Sequence, residues 1–390
     1  MLAVLRGEAV DRVPWVPRLD LWHKANRRAE TLPARFAGAS LMEMTDELGW
    51  GCHAVIPDFQ DLRGPEDDAD RALGIYNLHC MPYRTVLERV TRTIRKDGDR
   101  TRVEYRTPVG TLRTETVHDE SMRAAGITIA HVSRYPFTGP ADYEPLRWLF
   151  EHARVEANYD GYQAHAEAVG ERGFAVAYVS SAASPMHLVQ RELMPMATFF
   201  YEMHDRPDEL ARLAGSVAAY WRQVLDVSAG CPAEVLLLGA NYDASLQYPP
   251  FFAEHLTPWL RRFADRLHER GKFLLTHTDG ENDGLLGEYL AAGIDVADSI
   301  CPAPMTRLTL ADVREAFGGR ITIMGGVPSV ALLPEAMDEA DFESFCDDLF
   351  AQVGDGRKLI LGIYDTTPPA ADFSRIERLA ERVEQLRPAT

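Results

Sequence analysis

Short apolar runs alternate with longer amphipathic stretches over most of this chain. The runs read as strands covered on both faces: VPWVPRLD (Val13–Asp20), HAVIPDF (His53–Phe59), AVAYVSS (Ala175–Ser181), VLLLGANYD (Val235–Asp243), FLLTHTD (Phe273–Asp279), IDVADSI (Ile294–Ile300), ITIMGGV (Ile321–Val327) and LILGIYD (Leu359–Asp365). Helical periods lie between the later ones. PPFFAEHLTPWLRRFADRLHERG (Pro249–Gly271) ends with Gly271 just past a basic last turn, and Leu308–Gly319, Asp341–Gly354 and Phe373–Leu386 also read as helices. Eight strand–helix units in succession predict an α/β chain folded as a (β/α)₈ TIM barrel rather than an open doubly wound sheet. One section departs from the rhythm. Thr91–Val117 alternates with period two around Asp97-Gly98 and Pro108-Val109-Gly110, which predicts a small antiparallel insertion after the second strand. The expected organisation is a single domain over 1–390, with the insertion at 91–117 inside it.

Polar residues collect at the carboxyl ends of these runs: Arg18 and Asp20, Asp58, Ser181, Asn241 and Asp243, His277 and Asp279, Cys301, Asp365. In a barrel those ends line the active-site mouth. His277 and Asp279, two apart in an extended chain, face one side together. They can be read as a pair of metal donors, or as an imidazole oriented by a carboxylate for proton transfer. Asp365 is a third candidate, with a turn or N-cap in DTTPP as its plain alternative. Cys301 precedes Pro302 in a loop, and a lone cysteine is by default a small buried hydrophobe. Asn241 and Asp243 close a very apolar strand and are candidate substrate contacts, and Arg18 is either a carboxylate anchor or half of an ion pair. Asp20 is also placed to cap the first helix, and His187 and Arg191, four apart on a helix, share a face as candidate pocket wall. The acidic run Glu66-Asp67-Asp68 reads as a solvated loop.

Composition narrows the function classes. The chain has 390 residues, 46% of them apolar, which is enough for a large core. A net charge of −18 argues against nucleic acid or an anionic membrane as partner. Five scattered cysteines without a CxxC pair, no signal-peptide pattern and no membrane-length apolar run predict a reduced, cytoplasmic protein.

LRGEAVDRVPWVPR (Leu5–Arg18) resembles the opening of the uroporphyrinogen decarboxylase superfamily. SSAASPMHLVQRELMPMATFFYEMHDRPDELARL is similar to that family's third-strand loop and the helices after it. HTDGENDGLLGEYLAAGIDVADSICPAPM, ITIMGGVPSVALL and LILGIYDTTPPAADFSRIERL resemble its fifth to eighth strands. The likeness covers almost the whole chain and implies the barrel. True uroporphyrinogen decarboxylases carry an arginine pair after the first strand and a glycine-histidine-glycine near the last. Here Arg18 matches one arginine, Asp20 brings the opposite charge, and the last segment reads LGIYDTTPP. A polycarboxylate substrate needs cationic clamps, so tetrapyrrole decarboxylation is the least favoured activity.

The chain is closer to the methyltransferase-like branch, whose fifth-strand histidine belongs to a His-x-Cys zinc site completed by a cysteine after the last strand. His277 matches that histidine, Asp279 stands in place of the first cysteine, and Tyr364 and Asp365 occupy the last-strand segment. The resemblance therefore implies a metal-dependent methyltransferase or demethylase that acts on a small methylated compound, with a thiol or corrinoid acceptor. His277, Asp279 and Asp365 are expected to be catalytic. His277, Asp279 and Cys301 are expected to hold a divalent metal, zinc by analogy, with Glu281 as a further candidate. Arg18, Asp20, Asp58, Asn241, Asp243 and Tyr364 are expected to contact substrate. A corrinoid, as methyl carrier on a partner protein, and a homodimer are the further expectations. The alternative is a lyase that decarboxylates a small carboxylate without metal, with Arg18 holding the carboxylate and His277 managing the proton.

Overall fold

The computed structural model describes residues 1–386. Its centre is a six-stranded parallel sheet in the order β12-β11-β10-β9-β8-β7. The strands are β7 (Ala177–Ser180), β8 (Val235–Ala240), β9 (Phe273–His277), β10 (Val296–Ile300), β11 (Thr322–Val327) and β12 (Leu359–Ile363). Every residue of β7, β8, β10, β11 and β12 is buried, as continuous apolar runs between layers of helix require.

Backbone hydrogen bonds carry the sheet round into a barrel-like ring. Val16 N donates to Leu361 O at 2.8 Å and Leu361 N to Pro14 O at 2.9 Å, which joins the amino-terminal segment to β12. Gly51 N then donates to Trp15 O at 2.9 Å, and Val176 N, just before β7, donates to Ala54 O at 3.0 Å. The first two expected strands, Val13–Asp20 and His53–Phe59, are thus not regular strands. Pro14, Pro17 and Pro57 have no N–H to give a ladder, so each segment contributes single bonds only. In the second, the bonded stretch also lies earlier than expected, around Gly51–Ala54. Close approach across this junction depends on small residues. A Cβ on Gly362 would lie 2.4 Å from the Val16 carbonyl oxygen.

The antiparallel insertion is present. β2 (Thr91–Asp97), β3 (Arg100–Thr107), β4 (Gly110–Val117) and β5 (His131–Arg134) form one sheet, and β1 (Tyr83–Leu87) pairs with β6 (Ala153–Ala157) in another. The Glu66–Asp68 run is not a solvated loop. Arg92 binds Glu66 at 2.7 Å and Asp70 at 2.6 Å, Lys96 binds Asp68 at 3.1 Å, and buried Asp67 takes Arg84 and the amides of Arg63 and Gly64. These acids fasten the insertion to the body of the protein. No helix among the described residues is long and apolar enough to cross a membrane.

Candidate active site

The expected strand ends at Asp243, Asp279 and Asp365 all overshoot, for one physical reason. Asn241, Asp279 and Asp365 adopt positive φ of 57°, 36° and 45° and turn the chain away just past β8, β9 and β12, while Ser299, at 67°, forms a bulge within β10. The ladders also slip in register near the carboxyl ends of β7, β8 and β10. These turns and bulges re-aim polar side chains towards one place, as such features do beside active sites.

His277, at the end of β9, Asp279 and Asp365 each offer a donor atom, and these atoms lie within 4.8 Å of one another. The convergence of His277 and Asp279 comes from the left-handed turn at Asp279, not from strand alternation. His277 Nε2 is 3.3 Å from Asp365 Oδ1. Its Nδ1 donates to Asp298 Oδ2 at 2.6 Å, because Asp298 lies beside His277 in the parallel register of β9 and β10. Burial works against a charged ring at His277, but hydrogen bonds to Asp298 and Asp365, and their charges, raise its pKa to about 9. Asp365 is opposed by burial too, yet His277 and Arg18 hold it down at about 2.

Each carboxylate is also held by groups other than the imidazole, and at Asp365 Arg18 and His277 share the same oxygen, Oδ1. Arg18 Nη1 donates to Asp365 Oδ1 at 2.9 Å and to its carbonyl at 2.7 Å, and Arg18 Nε donates to Asp20 at 3.2 Å. Ser299 Oγ accepts from the Asp365 amide at 2.6 Å. Asp279 Oδ2 accepts from Asn241 Nδ2 at 2.6 Å, and its Oδ1 accepts from the Tyr364 hydroxyl. Burial and the charge of Asp279 push the Tyr364 pKa up, so this phenol stays a donor. Arg191 Nη2 donates to Asn241 Oδ1 at 3.2 Å, which turns the Asn241 amide so that its nitrogen faces Asp279. Arg191 sits in a π-helical turn, Val189–Leu193, a distortion common at functional sites.

Arg18, Asp20, Asn241, Tyr364, His277, Asp279 and Asp365 thus form one connected group. The other expected site residues make contacts of their own, and of them Cys301 lies near Asp279 and Asp365. Asp58 pairs with Lys24 at 2.5 Å and caps the Gln60 amide at 3.0 Å. Asp243 is a turn acceptor, taking Ser245 N at 2.8 Å and Glu281 N at 3.3 Å. Cys301 is buried, its thiol 3.6 Å from the Pro302 carbonyl and its pKa pushed up by burial and by nearby acids, the behaviour of a packed neutral thiol. Glu281 caps Asp283 N and Arg307 N. His187 is fully buried, and its Nδ1 accepts from Ala183 N at 3.1 Å.

Three participants were not foreseen as members of the group: Asp298, Ser299 and His53. His53 Nε2 lies 3.2 Å from the second oxygen of Asp298. Asp298 was the one with a signal, a carboxylate inside an otherwise buried strand that must find partners.

The donor set suits a divalent cation. Asp20, Asp279, Asp298 and Asp365 against Arg18 leave three uncompensated negative charges when His277 is neutral. One imidazole nitrogen with two carboxylates matches zinc, iron or manganese.

The family model for uroporphyrinogen decarboxylase (URO-D) matches residues 122–386, a stretch that includes His277, Asp279, Asp298 and Asp365. No curated protein matches the chain. Among solved structures, a methyltransferase from Methanosarcina mazei is similar, with a TM-score of 0.52 at 15% sequence identity, covering 98% of this chain and 97% of that one. At that identity the likeness is one of fold.

Proposed function

Because the chain belongs to the uroporphyrinogen decarboxylase (URO-D) family, we propose that it is a metal-dependent methyl-transferring enzyme of that family. It would act on a small methylated compound and pass the methyl group to a thiol or corrinoid acceptor. The observation that carries this reading is the convergence of His277, Asp279 and Asp365, with Asp298 behind the imidazole. A histidine that ligates a metal through one nitrogen typically gives its other N–H to a carboxylate. The methyltransferase that shares the fold over nearly its whole length supports the choice of methyl transfer.

His277 through Nε2, with one oxygen each from Asp279 and Asp365, would hold the cation. A cation there would serve as a Lewis acid, polarising a substrate oxygen or lowering the pKa of a bound thiol or water. Asp298 keeps the Nδ1 proton in place while His277 Nε2 gives up its own. Arg18 fixes Asp365, and Tyr364 and Asn241 fix the two oxygens of Asp279, so the donors are set before substrate arrives.

The lyase reading loses ground at Arg18. A carboxylate anchor needs an open cation, whereas this guanidinium is bound by Asp20 and Asp365 and its side chain is 12% exposed. Elemental analysis of the purified protein, followed by chelation and reloading, tests the proposal. Stoichiometric zinc, iron or manganese, lost in His277→Ala, is the expected result. Undiminished turnover after exhaustive chelation, with release of carbon dioxide from a small acid, would overturn it.

A further inference from the structure

We propose that His53 is a positioning residue for His277. Acting through Asp298, it fixes which imidazole nitrogen faces Asp279 and Asp365. The cation arm of this inference rests on the metal reading above; the orientation arm does not.

Asp298 is 2% exposed, and a buried carboxylate is tolerated only when its oxygens are satisfied. Its two oxygens are divided between two histidines from distant parts of the chain. Oδ2 takes His277 Nδ1 at 2.6 Å, and Oδ1 takes His53 Nε2 at 3.2 Å. With one anchor, the carboxylate could turn about its Cβ–Cγ bond and release the Nδ1 proton. With anchors on both oxygens, rotation breaks a buried hydrogen bond, at a cost of about 1–3 kcal/mol. The imidazole is then held as an Nδ1–H donor, and Nε2 is left for the acidic group.

His53 lies inside the fold. Its ring is 8% exposed, and its segment is tied on both sides, by Gly51 N to Trp15 O and by Val176 N to Ala54 O. Gly51 leaves no spare room, since a Cβ there would meet Val16 Cγ2 at 2.7 Å. A histidine serving only as core filler would not need to aim a ring nitrogen at the carboxylate that holds the site imidazole.

Two variants separate positioning from packing. His53→Phe keeps a ring and removes the donor; His53→Gln restores an N–H donor without the ring. The first readout is the His277 Nδ1–H proton resonance in metal-free protein, assigned by its loss in His277→Gln. The second is Co²⁺ affinity by competition with a chromophoric chelator. His53→Phe should shift or broaden the resonance and weaken Co²⁺ binding about 10-fold, the lower end for supporting partners of metal ligands. His53→Gln should restore both. Wild-type resonance and affinity in His53→Phe would overturn the proposal, as would failure of His53→Gln to recover either. Where the phenyl variant does not fold, His53→Leu replaces it under the same criteria. If the wild-type protein takes up no Co²⁺, the metal reading falls and the resonance alone decides the role of His53.

Discussion

Asp298 sits directly beside His277 in the register of two neighbouring parallel strands, and its Oδ2 accepts the His277 Nδ1 proton at 2.6 Å. The pair is built into the sheet rather than onto a loop, so its geometry is as rigid as the ladder that carries it. Replacing Asp298 by Asn keeps the shape and removes the charge. The His277 pKa should fall from about 9 towards its ordinary value, and cation affinity should fall 10- to 100-fold. Titration of the His277 ring by NMR and metal competition check the two halves.

Asp279→Cys should retain a cation but change its preference. A thiolate in place of the carboxylate gives a softer donor set, which favours zinc over manganese. The Co²⁺-loaded variant should show a sulfur-to-metal absorption band that the wild type lacks.

Gly362→Ala tests the ring junction. The added methyl would stand 2.4 Å from a backbone oxygen that cannot move without opening the Val16–Leu361 bond. Overpacking of this kind costs about 1–3 kcal/mol. Urea unfolding should give a lower midpoint with an unchanged slope.

His187 gives the protein a specific weakness to acid. Burial, helped by the charge of Arg191, lowers its pKa from 6.5 to about 3. Between those values the unfolded chain binds a proton that the folded chain refuses. Stability should therefore be intact above pH 6.5 and fall as the pH drops towards 3. His187→Asn keeps an acceptor for the Ala183 amide, and should flatten the stability profile across this window while lowering stability at neutral pH.

Six of the strands and the antiparallel insertion are legible in the sequence because both leave strong patterns. A strand covered on two faces spells an unbroken apolar run, and a half-exposed hairpin spells alternation. The amino-terminal segments mislead because apolar composition survives where Pro14, Pro17 and Pro57 interrupt the ladder. His277, Asp279 and Asp365 stand out because titratable residues follow apolar runs. His53 could not be paired with its partner by inspection, since 245 residues separate it from Asp298. The left-handed conformations of Asn241, Asp279, Ser299 and Asp365 were equally hidden, for none of the four is a glycine.

The ring of strands is uneven in stiffness. Between β8 and β12 it is held by ladders, bulged only near the ends of β8 and β10, whereas the arc through Pro14–Val16 and Gly51–Ala54 is stitched by isolated bonds. Local opening is easiest where the fewest bonds must break together, so this arc is expected to open before the rest of the ring. The amide protons of Val16 and Gly51 should exchange with solvent well before those of Leu236 and Leu361. His53 rides on that arc. Opening of this arc would remove one of the two hydrogen bonds to Asp298, while the bond from Asp298 to His277, carried on the ladder of β9 and β10, stays in place.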